Sequence, residues 1–193
     1  MASERRLTRL ETVLRHRQPD LTVVMENIHD PHNVSAMLRS CDAAGVYEAQ
    51  LLYNIDAFPK IGKKSSASAG KWVERRKFKS VDDCYALLHS EGFLIYATRL
   101  DDRALSLYDL DLTRKVAFVF GNEHRGVSDE AAQEADGIIQ IPMFGMIQGL
   151  NVSVACAIVL YEALRQRLKK GDYAAAKFPA HEFERLFEKW KKK

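Results

Sequence analysis

Leu21-Thr22-Val23-Val24-Met25-Glu26-Asn27-Ile28 is followed by His29-Asp30-Pro31 and then by Val34, Met37, Leu38 and Cys41, up to Gly45. The first eight residues form an apolar run of strand length, rich in β-branched side chains, as a buried strand requires. Asp30-Pro31 breaks it, because proline lacks the amide that a ladder needs. The spacing of the next apolar residues then predicts a helix over 34–44 with one buried face, and Gly45 stops it. Strand candidates recur at 50–55, 93–98, 116–120 and 137–141, with helices at 81–90, from Ser128 to 135, and from Asn151 to about Lys169. Short apolar strands alternating with helices need crossover connections. The expected fold is therefore α/β, a mostly parallel sheet covered by helices on both faces. Ligands of such sheets bind beyond the carboxyl ends of the strands, which points to 27–33, 98–100, 121–126 and 142–151.

Outside this body, Leu7, Leu10 and Leu14 predict a short amphipathic helix. Phe183, Leu186, Phe187 and Trp190 form the apolar stripe of a last basic helix over 179–193. The expected organisation is a basic helical extension at 1–18, an α/β domain at 19–165 and a second basic extension at 166–193. The 193 residues suit one domain with such extensions. No apolar run approaches the ~20 residues of a membrane span, and the first residues lack an apolar signal core, so a cytoplasmic protein is expected. Cys41, Cys84 and Cys156 form no CxxC and read as reduced thiols, two of them in the core.

The net charge of +3 conceals an uneven distribution. Residues 1–18 carry five Arg and two Glu, and residues 162–193 carry ten Lys and Arg against five acids, so the remaining body is acidic. Within that body, residues 60–79 hold eight basic residues and the single acid Glu74, on what reads as a long loop with Pro59, Gly62 and a small-residue run at 65–70. Separated basic segments suit a polyanionic partner, and they equally suit solvated helix faces and a solubilising tail.

Three segments could carry chemistry. In the first, Asn33 stands where the helix N-cap is expected, with Arg39 about one and two-thirds turns further on. His29 and His32 lack a supporting Cys or carboxylate cluster, so no metal site is expected. In the second, the strand 116–120 enters Gly121-Asn122-Glu123-His124-Arg125-Gly126, where the missing Cβ of Gly121 would let backbone approach a ligand. In the third, an apolar loop from Ile141 to Leu150 with Gly145 and Gly149 feeds a helix capped by Asn151, with Ser153 in its first turn. The dinucleotide fingerprint GxGxxG and the nucleophile elbow GxSxG are both missing.

Together, Asn33 with Arg39, Phe120-Gly121-Asn122-Glu123 through Gly126-Val127-Ser128, and Ile141-Pro142-Met143 through Leu150-Asn151-Val152-Ser153 resemble in order and spacing the three motifs of the SpoU family of RNA 2′-O-methyltransferases. The resemblance implies S-adenosylmethionine as cofactor, a C-terminal trefoil knot and a homodimer. It implies Thr98, Leu100, Gly121, Asn122, Glu123, Gly126, Ile141, Met143, Leu150 and Asn151 as cofactor-binding residues. It gives Arg39 the central catalytic role, with Asn33, Glu123, Asn151 and Ser153 positioning Arg39 and the ribose. Because arginine stays protonated in proteins, Arg39 is expected to orient the hydroxyl or stabilise the developing alkoxide, while another acceptor takes the proton. The basic start and the phrase from Arg17 to Asn33 look most like the branch that methylates guanosine 18 of the tRNA D-loop. In that case Arg5, Arg6, Arg9, Lys63, Lys64, Arg165 and Lys169 would contact tRNA. Gly149 departs from the pattern, since relatives often carry Ser there. A sibling enzyme acting on another tRNA or ribosomal RNA site, and an RNA-binding protein without catalysis, are the alternatives.

Overall fold

The computed structural model describes residues 3–58, 69–147 and 149–193. Lys63 and Lys64 lie outside the described residues. Helix α1 (Glu4–Arg15) precedes β1 (Leu21–Glu26), α2 (Pro31–Ala43), β2 (Glu48–Leu52), α3 (Ala69–Trp72), β3 (Glu74–Phe78), α4 (Val81–Ser90), β4 (Leu94–Thr98) and β5 (Leu105–Ser106). A 3-10 turn at Leu107–Asp109 follows, then β6 (Val116–Phe120), α5 (Asp129–Glu134), β7 (Gly137–Gln140), α6 (Val152–Lys170) and α7 (Ala180–Lys191). The seven strands form one sheet in the order β3-β2-β1-β6-β4-β7-β5, and all of its pairings are parallel.

Alternate side chains of the central strands enter two different cores. Val23, Met25, Phe118 and Phe120 pack with Val34, Met37, Leu38, Val159 and Leu160, under α2 and α6. Val24, Ala117 and Val119 pack with Val81, Tyr85, Leu88 and Ala131, under α4 and α5. Both faces are thus covered, which is why β1 and β6 read as unbroken apolar runs rather than as alternating ones. Because β1 leads outward to β2 and β3 while the later strands build on its other side, the β1–β6 boundary is the switch point of the sheet, where ligand crevices open.

Three sequence expectations are corrected. The basic segment read as a loop contains α3 and β3. Strand β3, Glu-Arg-Arg-Lys-Phe, pairs with β2 from Glu48↔Glu74 to Leu52↔Phe78. It lies at the edge of the sheet, where charged side chains blunt an exposed ladder and hide the apolar pattern of a strand. The N-cap of α2 is Asp30, whose carboxylate accepts from the His32 amide, with Pro31 just inside the helix. Proline is pre-shaped for that first position, so Asn33 falls within the first turn and its side chain is released for other contacts. Finally, all three cysteines are buried, not two. Burial pushes the Cys84 thiol up to about 12, and it raises Cys156, which lies against Cys41.

The two chain ends pack on each other. Leu10 and Leu14 of α1 join Phe178, Leu186 and Trp190 in a third core, flanked by Phe183 and Phe187. The guanidinium of Arg17 is wholly buried, pairs with Asp42, and stacks over the Trp190 ring at 5.4 Å. Arg167, equally buried, donates to Asp20 Oδ1 (2.6 Å), Gln18 Oε1 (3.2 Å) and the carbonyls of Asp20, Leu112 and Arg114.

Candidate functional site

The loops after β4, β6 and β7, with the first turns of α6, surround a cavity of about 740 Å³ at the carboxyl ends of the strands. Thr98, Leu100, Gly121, Asn122, Glu123, Gly126, Ile141, Met143, Leu150 and Asn151 all line it. So do Arg99, His124 and Arg125. Ile141, Leu150, Val152, Ala155 and Val159 supply apolar wall. Among the described residues, the backbone amides of Met143, Gly149 and Leu150 donate to no partner. Apolar wall beside free backbone donors suits a flat heteroaromatic group such as adenine, and the volume falls within the roughly 300–1,000 Å³ of small-molecule sites.

Gly121 works differently from the expectation. A Cβ on it would lie 2.1 Å from the Gly126 carbonyl and from the Val127 nitrogen. The close approach that it permits is that of its own turn, which Gly126 closes with φ +69° and an amide donated to the Asn122 carbonyl at 2.8 Å.

A chain of hydrogen bonds joins the three sequence segments, with Glu123 and Asn151 in the cavity lining. Asn33 Nδ2 donates to Glu123 Oε1 at 2.8 Å. Asn151 Nδ2 donates to Asn33 Oδ1 at 3.2 Å. Asn151 Oδ1 accepts from the Ser153 amide at 2.8 Å, as a helix cap, and from Ser153 Oγ at 2.6 Å. Each amide orientation follows from the one before. An ionised carboxylate only accepts, so Asn33 must turn its NH₂ to Glu123 and its oxygen to Asn151. Glu123 also takes the amides of His29 (2.8 Å) and Asp30 (3.1 Å) at the start of α2. Partial burial works to raise its pKa, but these donors outweigh it and hold the carboxyl below its ordinary 4.5. Glu123 is thus an ionised anchor and a poor proton acceptor near neutrality.

Arg39 stands apart from this chain. It is exposed, and its side chain has no hydrogen bond or ion pair among the described residues. Six positions on a helix rotate it by about 120° away from Asn33, and the side-chain hydrogen bonds of Asn33, Glu123, Asn151 and Ser153 do not include it.

The basic residues divide sharply. Arg5, Arg6, Arg9 and Lys169 are exposed and free of carboxylate partners among the described residues. Arg165, grouped with them from the sequence, is instead tied to Glu162 at 2.8 Å. Lys177, Lys189 and Lys193 are neutralised by Asp20 or Glu74. Local sequence shows how many charges there are but not which of them face a carboxylate. The sequence pointed to 27–33 but gave Asn27 no role of its own; it is buried just after β1 with a positive φ of 48°. Its only local sign is an asparagine immediately after a strand, a residue type that tolerates the left-handed region.

Among the described residues, the one group of acidic side chains that gathers closely, Asp82, Glu130 and Glu134, lies exposed and outside the cavity lining. No helix among them is long and apolar enough to cross a membrane.

Residues 20–161 match the family described as SpoU rRNA Methylase family. A relative from Thermus thermophilus, named tRNA (guanosine(18)-2'-O)-methyltransferase, is 45% identical over 191 residues, covering 99% of this chain and 98% of its own. A relative of the same name from Escherichia coli is 44% identical over 170 residues, covering 87% of this chain and 73% of its own. The crystal structure of the Aquifex aeolicus TrmH/SpoU tRNA modifying enzyme superposes with a TM-score of 0.91 at 40% identity, covering 97% of this chain and 95% of that one. With the second and third motif segments lining one cavity, the first tied to both through Asn33, and this breadth of similarity, the chain belongs to the SpoU methylase family.

Proposed function

We propose that this protein transfers the methyl group of S-adenosylmethionine to a ribose 2′-hydroxyl of tRNA, that of guanosine 18 in the D-loop. The observation that carries the reading is the hydrogen-bonded chain Ser153–Asn151–Asn33–Glu123, of which Asn151 and Glu123 line the cavity. The names of the relatives from Thermus thermophilus and Escherichia coli support the substrate. Such a substrate implies a cytoplasmic enzyme.

Bound S-adenosylmethionine supplies a sulfonium-activated methyl group. The task left to the protein is to align the hydroxyl and stabilise the charge that develops on it. Ile141 and Leu150 would flank the adenine, and Met143, Gly149 and Leu150 offer backbone amides to it. Ser153 gives its own proton to Asn151 Oδ1, so its oxygen keeps lone pairs to accept a hydrogen bond from the ribose hydroxyl. Asn151 and Asn33 hold Ser153 in place, anchored by ionised Glu123. Arg39 brings a fixed positive charge to the forming alkoxide.

Since Arg39 is not held by its own chain's network, we assign it to the cavity of a second copy. Val154, Tyr161 and Leu168 recur at seven-residue intervals on α6 and are about half exposed, and Phe144 and Met146 beside the cavity are fully so. An apolar stripe of this kind on a helix suits a homodimer. Helix α2, which bears Arg39, packs directly on α6. The trefoil knot belongs to the same reading, supported by the convergence of the loops at 98–100, 121–128 and 141–151.

The deciding experiment is methyl transfer from radiolabelled S-adenosylmethionine to unmodified tRNA, with the product nucleotide mapped. Label at guanosine 18 is expected. Label at another nucleotide would mean a sibling enzyme, and no label with tRNA still bound would mean an RNA-binding protein.

A further inference from the structure

Asn27 lies outside the catalytic chain, yet it joins three strand ends. It is 2% exposed and takes the left-handed conformation (φ 48°) that non-glycine residues adopt rarely. Such strain persists only where surrounding contacts over-determine it. Here every polar group of the residue is engaged. Its amide donates to the Leu52 carbonyl at 2.9 Å. Its Oδ1 accepts from the amides of Ile55 and Asp56, both at 3.1 Å, and its Nδ2 donates to Asn54 Oδ1 at 2.6 Å. Its carbonyl accepts from Asn122 Nδ2 at 2.7 Å.

These bonds close a ring. Asn122 Oδ1 accepts from the amides of His124 (2.9 Å) and Arg125 (3.2 Å). Arg125 Nη2 pairs with Asp56 Oδ2 at 2.6 Å, and the Asp56 amide returns to Asn27 Oδ1. Glu123 sits inside this ring in sequence, between Asn122 and His124. Its backbone is set by Asn122 on one side, and its carboxylate by the start of α2 on the other.

We propose that Asn27 is a positioning residue for methyl transfer. Through Asn122 on one side and through Asp56 and Arg125 on the other, it fixes the turn that carries Glu123 and lines the cofactor cavity. This inference rests on the methyltransferase reading above. Asn27 does not touch substrate in this role. It acts by holding the turn at the position from which Glu123 orders Asn33 and Asn151, and a displacement of about 1 Å in such a support can cost on the order of a hundredfold in rate.

Two variants separate positioning from general stability. Asn27→Gly keeps the positive φ without strain but removes the ties to residues 54, 55 and 56. Asn27→Asp keeps the acceptor for the Ile55 and Asp56 amides and tolerates the same backbone, and Asn54 can turn its amide to donate. The full-length protein is assayed for kcat, for the tRNA KM, for S-adenosylmethionine affinity by calorimetry, and for melting temperature. For Asn27→Gly, kcat and cofactor affinity should each fall about tenfold with the tRNA KM unchanged, and Asn27→Asp should restore most of both. Asp56→Ala, which opens the ring at the surface, should move the same two quantities in the same direction by less.

Wild-type kcat and cofactor affinity in Asn27→Gly would overturn the proposal. A rise in tRNA KM alone would overturn it by making Asn27 an RNA contact. Failure of Asn27→Asp as severe as that of Asn27→Gly, with melting temperature falling in step, would reduce the residue to a structural one. If the wild-type protein methylates no tRNA while cofactor affinity still follows the Asn27 series, the enzymatic reading fails and takes the role in methyl transfer with it, and only the hold of Asn27 on the cofactor cavity stands.

Discussion

Asn33 Nδ2 donates to Glu123 Oε1 at 2.8 Å across 90 residues of sequence. This single bond ties the first turn of α2 to the turn after β6. It fixes the orientation of Asn33, and through Asn33 that of Asn151. A carboxylate with three donors from α2 and its approach holds a helix terminus in a way no neutral side chain can.

Glu123→Gln should therefore fail although it is isosteric. Its amide brings one oxygen to three donors and sets an NH₂ against at least one of them. A partly buried donor left without an acceptor costs about 1–3 kcal/mol, so melting temperature should fall and methyl transfer should be lost. The pH dependence has a definite sign. The folded-state pKa of Glu123 is depressed, so its stabilisation is present above the ordinary 4.5 and is lost as pH falls below that value, through the folded pKa. Cofactor affinity measured by calorimetry should be flat from neutrality to about pH 5 and drop at lower pH. A drop centred between pH 6 and 7 would contradict the anchor role.

Arg39→Ala should abolish methyl transfer, a loss of about 100-fold or more, while cofactor binding is retained. If Arg39 serves the second copy's cavity, then mixing Arg39→Ala with an Asn151→Ala variant should restore part of the activity, because one cavity in the mixed dimer is complete. Absence of any recovery, in subunits shown to exchange, would place Arg39 at its own chain's cavity.

The free cations should dominate RNA affinity. Charge reversal at Arg5, Arg6, Arg9 or Lys169 should raise the tRNA KM and lower the salt dependence of binding, by about one unit of slope for each phosphate no longer neutralised. Changes at Arg165 or Lys189, already paired with Glu162 and Glu74, should do less. Filter binding across a salt series measures both effects, and equal slopes for the two sets would refute the division.

Arg167→Ala should unfold the molecule more readily than any surface change. The guanidinium is fully buried and serves five acceptors from two segments, 18–20 and 112–114. Removing one member of such a buried pair costs about 3–5 kcal/mol, because Asp20 keeps its charge with only Lys177 and solvent to answer it. Denaturant unfolding should report this cost without a change in m-value. Deletion of α7 is a poor probe of RNA binding for a related reason. It strips Trp190 and Leu186 from the core that covers Leu10 and Leu14 of α1, so both tRNA and cofactor binding would suffer.

The strands β1 and β6, the helices α2 and α6 and the three motif segments were legible in the sequence. Each announces itself locally, through an apolar run of strand length, a helical spacing of buried residues, or a glycine or asparagine at an element's end. All ten residues expected around the cofactor do line one cavity, because strand ends in a parallel sheet lie side by side. Local pattern says nothing about partners far along the chain. The edge strand β3, hidden by its charges, needed β2 beside it to become visible. That Asp30 rather than Asn33 caps α2 depended on which side chain could reach the His32 amide. The sequence counted fifteen basic residues in its two ends, and only packing decided that Arg17 and Arg167 are buried staples while Arg5, Arg6 and Arg9 remain free. The physical reason is common to all of these. Burial periodicity is written within one element, whereas hydrogen bonding, neutralisation of charge and the strained Asn27 depend on elements that meet only once the chain has folded.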